Sequence, residues 1–599
     1  MPSDVEVPRH ITPGDPTWGS DLIAQALREL GIDLISLNPG ASYRGLHDSL
    51  VNFLGNDRPK MVLCLHEEHA VAIAHGYAKV TDRPMAVAVH TNVGLMHASM
   101  ALFNAFCDRV PMLVLGGVAP VDERQRRAWI DWLHATADQG ALVRMFTKWD
   151  QQPASAEAAV VALARAWVLT CTKPSAPSYV GLDWNVQEDA LPDGVTVPGL
   201  TAVGVPAPAY PNPRDVAKVV DLLHSAERPL VLAGRTTRSE TAWQSRVAFA
   251  EQFGATVLTH LQLAAAFPSE HPQHPLGPVS HRTPQALEIV RSSDVIVSLD
   301  WLDLAGMLKN AGIYGNDRHT VINVSVDQHV HNGWSKDHFD YALADLNVVV
   351  EPDMLVEAAV QHARQRGLAP RPARTPARGA ESASTTRQDA ISLAQLAEVL
   401  SRALRGRERT IVRIPSGWPT GTLEISHPLD FLGGDGGAGI GSGPGMVIGA
   451  ALALRDSGRL AVGVIGDGDF CMGMNALWTA AHYSVPMLIV VANNGSYLND
   501  EIHQHRAAEE RGRPIENRWI GQHMTDPAVD IAAVAEAQGL VGIGPVTRPA
   551  DLLDALKAAI AAVDEGKPVV VDVKVAIDID RAPVDPLVTR RRRAENTSD

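Results

Sequence analysis

Short apolar runs alternate along the chain with longer alanine-rich stretches. The runs are KMVLCL and PMAVAVH in the first third, RPLVLAG, SDVIVSLD and TVINVSVD in the middle, and LAVGVIGDG and PMLIVVANN in the last third. Apolar runs of this length predict strands buried on both faces, and intervening stretches such as HAVAIAHGYAKV predict the covering helices. We therefore expect an α/β protein with three doubly wound parallel sheets, whose ligands bind beyond the carboxyl ends of the strands.

Two proline-rich stretches interrupt this pattern. They cover residues 191–214 and 366–389, and their composition is typical of extended connectors. The predicted organisation is three domains at residues 1–190, 215–365 and 390–575, followed by a tail or lid at residues 576–599. Each domain has a size at which a chain can bury a core of its own.

The composition narrows the class of protein. Of 599 residues, 46% are hydrophobic and 20% charged, and the net charge is -16. A chain this acidic repels phosphates, so we expect no nucleic-acid partner. No apolar run reaches about 18 residues and the N-terminus lacks a signal pattern, so we expect no membrane partner and a cytoplasmic location.

The cysteines add little chemistry. They are widely spaced and form no CxxC pair, which argues against a disulfide scaffold and a zinc site. The four are Cys64, Cys107, Cys171 and Cys471.

The strongest chemical signal lies in the third segment, GVIGDGDFCMGMNALWTAAHYSVPMLIVVANNGSY. One strand is expected to end at the Gly466-Asp467-Gly468 turn, and a helix then leads to a second strand. This order places Asp467 and Asn494 at neighbouring strand ends. Their oxygens suit a hard cation such as Mg²⁺. The flanking glycines, Gly466 and Gly468, allow a diphosphate to approach the backbone at a helix N-terminus.

A GDG turn at this spacing from NN resembles the thiamin diphosphate (ThDP) binding motif of the ThDP-dependent decarboxylase and acetolactate synthase superfamily. The resemblance covers essentially the whole chain. It implies ThDP and Mg²⁺ as cofactors, with the metal held by Asp467, Asn494 and the backbone carbonyl of Ser496. It also implies that the three domains are the pyrimidine-binding, central and diphosphate-binding domains of that family.

The resemblance assigns a catalytic carboxylate in the stretch HEEHAVAIAHGYAKVTDRP. The family places a glutamate ten residues before the tyrosine of GYA, which selects Glu67 rather than Glu68. Its implied role is to stabilise a protonated nitrogen of the aminopyrimidine ring. Glu68 is then expected to be a solvated acid that favours the helix N-terminus.

Within the superfamily the chain looks nearest to the benzoylformate decarboxylases. The motifs that point to this family are ALWTAAHY after GDG, the turn Asn38-Pro39-Gly40, and two histidines at family positions. These are His90, in VAVHTNVG, and His271, in AFPSEHPQHP, where His274 is a near competitor. Imidazoles can shuttle protons near neutral pH, so the resemblance implies catalytic roles for both.

Other positions carry over from the same resemblance. Ala41 replaces the family's serine, with Ser42 one place later. After the metal loop, either Asp500 or Glu501 is expected to face the substrate, and Glu501 is the expected catalytic group. Further expected cofactor contacts are Ser416, Gly417 and Trp418 in IPSGWPTG, the wedge residue Ile440, and Asp469 and Tyr497 beside the metal.

The predicted reaction is cleavage of a carbon–carbon bond, as in a benzoylformate-like 2-oxo-acid decarboxylase. The arginines at residues 590–593 suggest an alternative, a 2-hydroxyacyl-CoA lyase whose tail meets phosphate groups. A catalytically silent regulatory homologue is a further alternative. The substrate is accordingly a small 2-oxo acid or an acyl-CoA.

The resemblance also implies a homodimer or homotetramer with active sites at subunit interfaces. The central segment lacks a clear GxGxxG, so we expect no second cofactor there.

Overall fold

The computed structural model describes residues 5–195, 197–280, 283–315, 317–329, 341–373 and 390–578. Most of the predicted linker at residues 366–389 and the arginines at residues 590–593 lie outside the described residues. The predicted domain boundaries stay predictions.

The first sheet belongs to the N-terminal third of the chain. Its six strands are β1 (Leu34–Leu37), β2 (Lys60–Leu63), β3 (Ala86–Val89), β4 (Met112–Val118), β5 (Trp149–Gln151) and β6 (Pro177–Asp183). Its helices are α1 (Gly19–Glu29), α2 (Arg44–Asp48), α3 (Glu67–Thr81), α4 (Thr91–Cys107), α5 (Ala156–Cys171) and α6 (Trp184–Glu188). The strand order is β2-β1-β3-β4-β6-β5 and the pairings are parallel.

The central sheet repeats this architecture. Its strands are β7 (Pro229–Ala233), β8 (Thr256–His260), β9 (Pro278–Val279), β10 (Val295–Leu299), β11 (Thr320–Val324) and β12 (Leu346–Val348), in the order β12-β11-β10-β7-β8-β9. Its helices are α7 (Pro213–Ser225), α8 (Glu240–Phe253), α9 (Pro284–Ser292), α10 (Leu304–Asn310) and α11 (Pro352–Gln365). α8 ends at Gly254, whose φ of 62° is the left-handed conformation that closes many helices.

The third sheet has five strands in the order β13-β14-β15-β17-β16, again parallel. They are β13 (Arg409–Arg413), β14 (Leu460–Gly466), β15 (Leu488–Asn493), β16 (Val541–Val546) and β17 (Val569–Lys574). Its helices are α12 (Leu393–Leu404), α13 (Gly443–Leu454), α14 (Asp467–Gly473), α15 (Leu477–His482), α16 (Leu498–Glu510), α17 (Ile531–Ala537) and α18 (Pro549–Asp564).

The predicted fold class is confirmed. Strands such as β3 and β7 are buried along their whole length, as their unbroken apolar sequence requires. None of the helices in the described ranges has the length and apolar character needed to span a bilayer. All four cysteines are free thiols.

Helices α3 and α13 join the first and third domains. A Cβ at Gly76 would lie 2.0 Å from the carbonyl oxygen of Met446, and a Cβ at Gly449 would lie 1.8 Å from that of Ile73. Each helix therefore uses a glycine to let the backbone of the other approach. Because α3 begins at Glu67 and α13 follows Ile440, this contact orients two predicted parts of the site.

Candidate active site

The predicted metal residues lie at adjacent strand ends of the third sheet. β14 ends at Gly466, α14 begins at Asp467, and the neighbouring strand β15 leads into Asn494. Oδ2 of Asp467 accepts a 2.5 Å hydrogen bond from the backbone N–H of Gly495. Oδ1 of Asn494 accepts one of 2.9 Å from the N–H of Ser496. The fold therefore brings the predicted ligands to one edge.

The donor set at this edge suits Mg²⁺. Asp467 is 4% exposed, and burial raises the pKa of its carboxyl group despite the backbone N–H groups that it accepts. A buried carboxylate is stabilised by a cation, and an amide oxygen and a backbone carbonyl are further hard ligands. A Cβ at Gly466 would meet no atom within 4 Å, so open space adjoins the backbone at the end of β14.

Tyr497 lies against the GDG turn. A Cβ at Gly468 would be 2.7 Å from an edge carbon of the Tyr497 ring. Glycine at position 468 is thus needed for the ring to pack here, at the start of α14.

Asp469 faces the protein rather than the open space. Its Oδ2 lies 2.9 Å from Nε of Arg413, and its Oδ1 accepts hydrogen bonds of 2.7 and 3.2 Å from the N–H groups of Gly441 and Gly443. Arg413 also pairs with buried Asp435, and these two carboxylates, opposing the effect of burial, raise its pKa. The observed contacts of Asp469 are those of a structural anchor. Its predicted contact with the diphosphate stays a prediction.

Glu501 is also held by protein groups. Its side chain is 1% exposed, with Oε1 3.0 Å from Nε of Arg518 and Oε2 3.0 Å from Nε2 of His523. The hydroxyl of Ser496 donates a 2.8 Å bond to Oε2. Asp500 is exposed. Glu501 therefore ties α16 to the metal loop, and its predicted catalytic role stays a prediction.

Glu67 is buried at the start of α3. It is 5% exposed, and its Oε2 lies 3.1 Å from Nδ1 of His97 on α4. A Cβ at Gly94 would lie only 2.8 Å from Oε1 of Glu67, so the glycine provides the room for the carboxylate. His66 caps the helix by accepting a hydrogen bond from the N–H of Glu68.

Glu68 departs from the expected solvated acid. It is partly buried, and a Cβ at Gly441 would lie 3.4 Å from its Oε1. Burial, and then the charge of Asp469, raise the pKa of its carboxyl group. Glu68 thus lies close to the loop that precedes α13.

His90 occupies the end of β3, one residue before α4. Its Nδ1 lies 2.9 Å from the hydroxyl oxygen of Ser42, and its ring meets that of His134 edge-on with centroids 4.9 Å apart. Burial, followed by the charge of His134, lowers the pKa of His90. Gly40 permits this packing, because a Cβ there would be 2.6 Å from the Cβ of His90.

The predicted turn Asn38-Pro39-Gly40 lies at the same edge of the first sheet. Nδ2 of Asn38 donates a 3.0 Å hydrogen bond to the carbonyl of Cys64. Pro39 connects Asn38 to Gly40, so the predicted turn lies beside His90. Its predicted contact with the cofactor stays a prediction.

The loop before α13 reaches the first domain. Asn104 on α4 donates a 2.9 Å hydrogen bond to the carbonyl of Gly439 and accepts one of 3.2 Å from its N–H. The next residue, Ile440, keeps 36% of its surface exposed. An exposed apolar side chain between the two domains fits the predicted wedge.

The contacts of His271 and of the stretch IPSGWPTG lie away from the residues described above. His271 stacks edge-on with Phe267 and lies 3.4 Å from Glu251, and both are central-domain residues. In IPSGWPTG, Trp418 is buried in the core of the third domain, while Ser416 and Gly417 are exposed. Their predicted roles stay predictions.

Several residues at the site could not be predicted from the sequence. Gly94 is the last residue of the stretch VAVHTNVG, yet only the packing reveals that it accommodates Glu67. His97, three residues later, carried no signal of its own. Arg413 is a single arginine far along the chain from Asp469, and Arg518 follows Glu501 by 17 residues in a stretch with no motif of its own.

Comparison with known proteins agrees with this geometry. Family models of thiamine pyrophosphate enzymes match the N-terminal TPP binding domain at residues 17–142, the central domain at 216–337 and the C-terminal TPP binding domain at 416–573. Thiamine pyrophosphate is another name for ThDP. The three matches follow the order of the three sheets.

Curated relatives align over most of their length. Benzoylformate decarboxylase of Pseudomonas aeruginosa is 25% identical over 557 residues, 92% of this chain and 97% of the relative. The acetolactate synthase large subunit of Corynebacterium glutamicum is 25% identical over 582 residues, 95% of this chain and 88% of the relative.

Solved structures share the fold. Benzoylformate decarboxylase from Polynucleobacter necessarius superposes with a TM-score of 0.77 at 22% identity, covering 95% of this chain and 100% of that structure. The ThDP-dependent 4-hydroxybenzoylformate decarboxylase of Rhodococcus jostii gives 0.75 at 22% identity, with coverages of 94% and 100%. With its three matched domains and the strand-end motif of the third, the chain belongs to the thiamine pyrophosphate enzymes.

Proposed function

We propose that the protein is a ThDP- and Mg²⁺-dependent carbon–carbon lyase that decarboxylates a 2-oxo acid of the benzoylformate type. The observation that carries the proposal is the buried carboxylate of Glu67 at the start of α3, together with the placement of Asp467 and Asn494 at adjacent strand ends of the third sheet. A benzoylformate decarboxylase among the relatives supports this substrate class.

The cofactor would be held from both domains. Asp467, the amide oxygen of Asn494 and the carbonyl of Ser496 would bind the metal, and the N-terminus of α14 would face the diphosphate. When bound, ThDP supplies an electron sink for the reacting carbonyl carbon. Glu67 would share a proton with the aminopyrimidine ring, and its burial strengthens that interaction.

His90 is the proposed proton-transfer group on the substrate side. Its lowered pKa keeps the ring neutral at pH 7, and the bond to Ser42 fixes its orientation. In this way Ser42 orients a catalytic group, although the family's serine position is occupied by Ala41. His271 has contacts within the central domain, so we assign it no step.

The proposed assembly is a homodimer or homotetramer in the cytoplasm. Exposed apolar side chains support an association surface around the site, among them Met96, Met100, Met472, Trp519 and Ile520, each at least 39% exposed. Light scattering on the eluting protein would measure its mass. A monomer under conditions of full activity would contradict this part of the proposal.

The reaction is tested by supplying the purified protein with ThDP, Mg²⁺ and one of three substrates. These are benzoylformate, pyruvate and a 2-hydroxyacyl-CoA, with products identified by NMR and mass spectrometry. Benzaldehyde and CO₂ from benzoylformate are the expected result. Acetolactate from pyruvate without benzaldehyde would favour a synthase, and formyl-CoA would favour the acyl-CoA lyase. Either outcome would overturn the proposed substrate class.

A further inference from the structure

Three potential metal ligands converge at the start of α3. Ligand atoms of His66, Glu67 and His97 all lie within 4.8 Å of one another. The imidazole rings of His66 and His97 stack with centroids 4.9 Å apart and an interplanar angle of 24°. Two imidazoles and a carboxylate are thus held together by residues from two different helices.

The spacing of Glu67 and His97 is close to that of two ligands in a coordination sphere. Zinc binds imidazole nitrogen and carboxylate oxygen at about 2.1 Å, so two ligands in a tetrahedral site are about 3.4 Å apart. Nδ1 of His97 is 3.1 Å from Oε2 of Glu67. Nδ1 of His66 accepts the N–H of Glu68, and a neutral imidazole has only one lone pair, so His66 gives up this hydrogen bond when it binds an ion. Rotation of that ring then completes a set of three donors with Glu67 and His97.

Burial and access also suit an ion. The Glu67 side chain is 6% exposed and that of His97 is 50% exposed in the single chain, so the cluster combines a desolvated anion with a ligand beside the proposed association surface. Nitrogen-rich donor sets select Zn²⁺, Co²⁺ or Ni²⁺ over Mg²⁺, which prefers oxygen. This separates the cluster from the oxygen-rich edge at Asp467.

We propose that His66, Glu67 and His97 form a second metal site that binds a divalent transition ion of the Zn²⁺ class. An ion there engages the carboxylate assigned to the cofactor ring, so it inhibits the enzyme. The inhibition rests on the proposed role of Glu67, whereas the metal site rests on the geometry alone.

Cobalt titration tests the site without reference to activity. Purified protein in saturating Mg²⁺ is titrated with Co²⁺, and the visible d–d bands and bound equivalents are recorded. Wild type is expected to bind one equivalent more than His97→Asn, with bands typical of a low-coordinate nitrogen-containing site. His224→Asn, which changes an exposed histidine on α7, is the matched control and should behave as wild type. Equal binding by wild type and His97→Asn would overturn the proposal.

Zinc inhibition supplies a second readout. Zn²⁺ at low micromolar concentration is expected to inhibit the wild-type reaction at saturating Mg²⁺, and His97→Asn should need at least tenfold more Zn²⁺ for the same inhibition. An unchanged inhibition curve would contradict the inhibitory role. Failure of the protein to decarboxylate benzoylformate would overturn the proposed function instead, and the cobalt titration would still decide whether the metal site exists.

Discussion

Gly94 and Glu67 are matched across two helices: a Cβ at position 94 would lie 2.8 Å from Oε1 of the glutamate and 3.2 Å from its Cγ. The contact couples the first turn of α4 to the first turn of α3. It makes the position of the buried carboxylate depend on the absence of a single methyl group.

Gly94→Ala is expected to displace Glu67 and reduce activity, although alanine favours a helix by about 1 kcal/mol. Thermal unfolding should change little, while turnover falls at least tenfold. A double-mutant cycle provides the control, because adding Gly94→Ala to Glu67→Gln should cause no further loss. Independent, multiplicative losses would contradict the proposed coupling.

Glu67→Gln is expected to lower activity by about 10²- to 10⁴-fold, the usual contribution of a positioned acid or base. The measurement that isolates this residue is exchange of the C2 proton of bound ThDP for deuterium, followed by NMR after acid quenching. Glu357→Gln, an exposed change on α11, is the matched control. Unaltered exchange in Glu67→Gln would exclude the assigned role.

The pH profile depends on His90 and its neighbour. Burial and the charge of His134 both lower the pKa of His90, so the acidic limb of kcat/KM should lie below pH 6.5, the ordinary value for histidine. His134→Gln removes the charged neighbour, so the pKa of His90 rises and the limb moves to higher pH. A limb that stays in place or moves down would contradict this relationship.

Ser42→Ala should separate orientation from binding. Loss of the 2.9 Å contact frees the His90 ring, so kcat should fall about tenfold with a smaller change in KM. Ser99→Ala, which removes a hydroxyl bonded to the backbone of α4, is the control. Equal effects of the two substitutions would argue against a specific role for Ser42.

The two aspartates of the GDGD sequence should fail in different ways. Asp467→Asn is expected to raise the concentration of Mg²⁺ needed for ThDP binding, with little effect on unfolding. Asp469→Asn weakens the pairing of buried Arg413, which costs about 1–3 kcal/mol of stability. Isothermal titration and thermal unfolding of both variants measure these effects. Identical behaviour of the two variants would refute the division of roles.

The elements, and the meeting of Asp467 with Asn494 at one edge of the third sheet, could be predicted because their signals are local. The apolar runs of β14 and β15 stop at polar residues, so Asp467 and Asn494 had to emerge at adjacent strand ends once the strands paired. Glu67 likewise begins α3, where the polar HEE sequence meets an apolar helical stretch. These predictions needed no knowledge of side-chain packing.

The partners of buried charges could not be predicted in the same way. Asp469 and Glu501 carry sequence signals that suit a solvent-facing site. In the folded chain, however, Asp469 pairs with Arg413, and Glu501 contacts Arg518 and His523. Such pairings depend on tertiary packing, which no local sequence pattern reports. For the same reason, the partial burial of Glu68 beside Gly441 became evident only in the folded structure.

The glycine contacts between α3 and α13 bear on how this protein can be re-engineered. Gly76 and Gly449 each lie against the backbone of the opposite helix. A chimera with its first domain from one relative and its third from another would combine two helix surfaces that did not evolve together. A larger residue at either position would wedge the domains apart. Recombination should therefore succeed when both helices are exchanged as a unit and fail when the crossover falls between them.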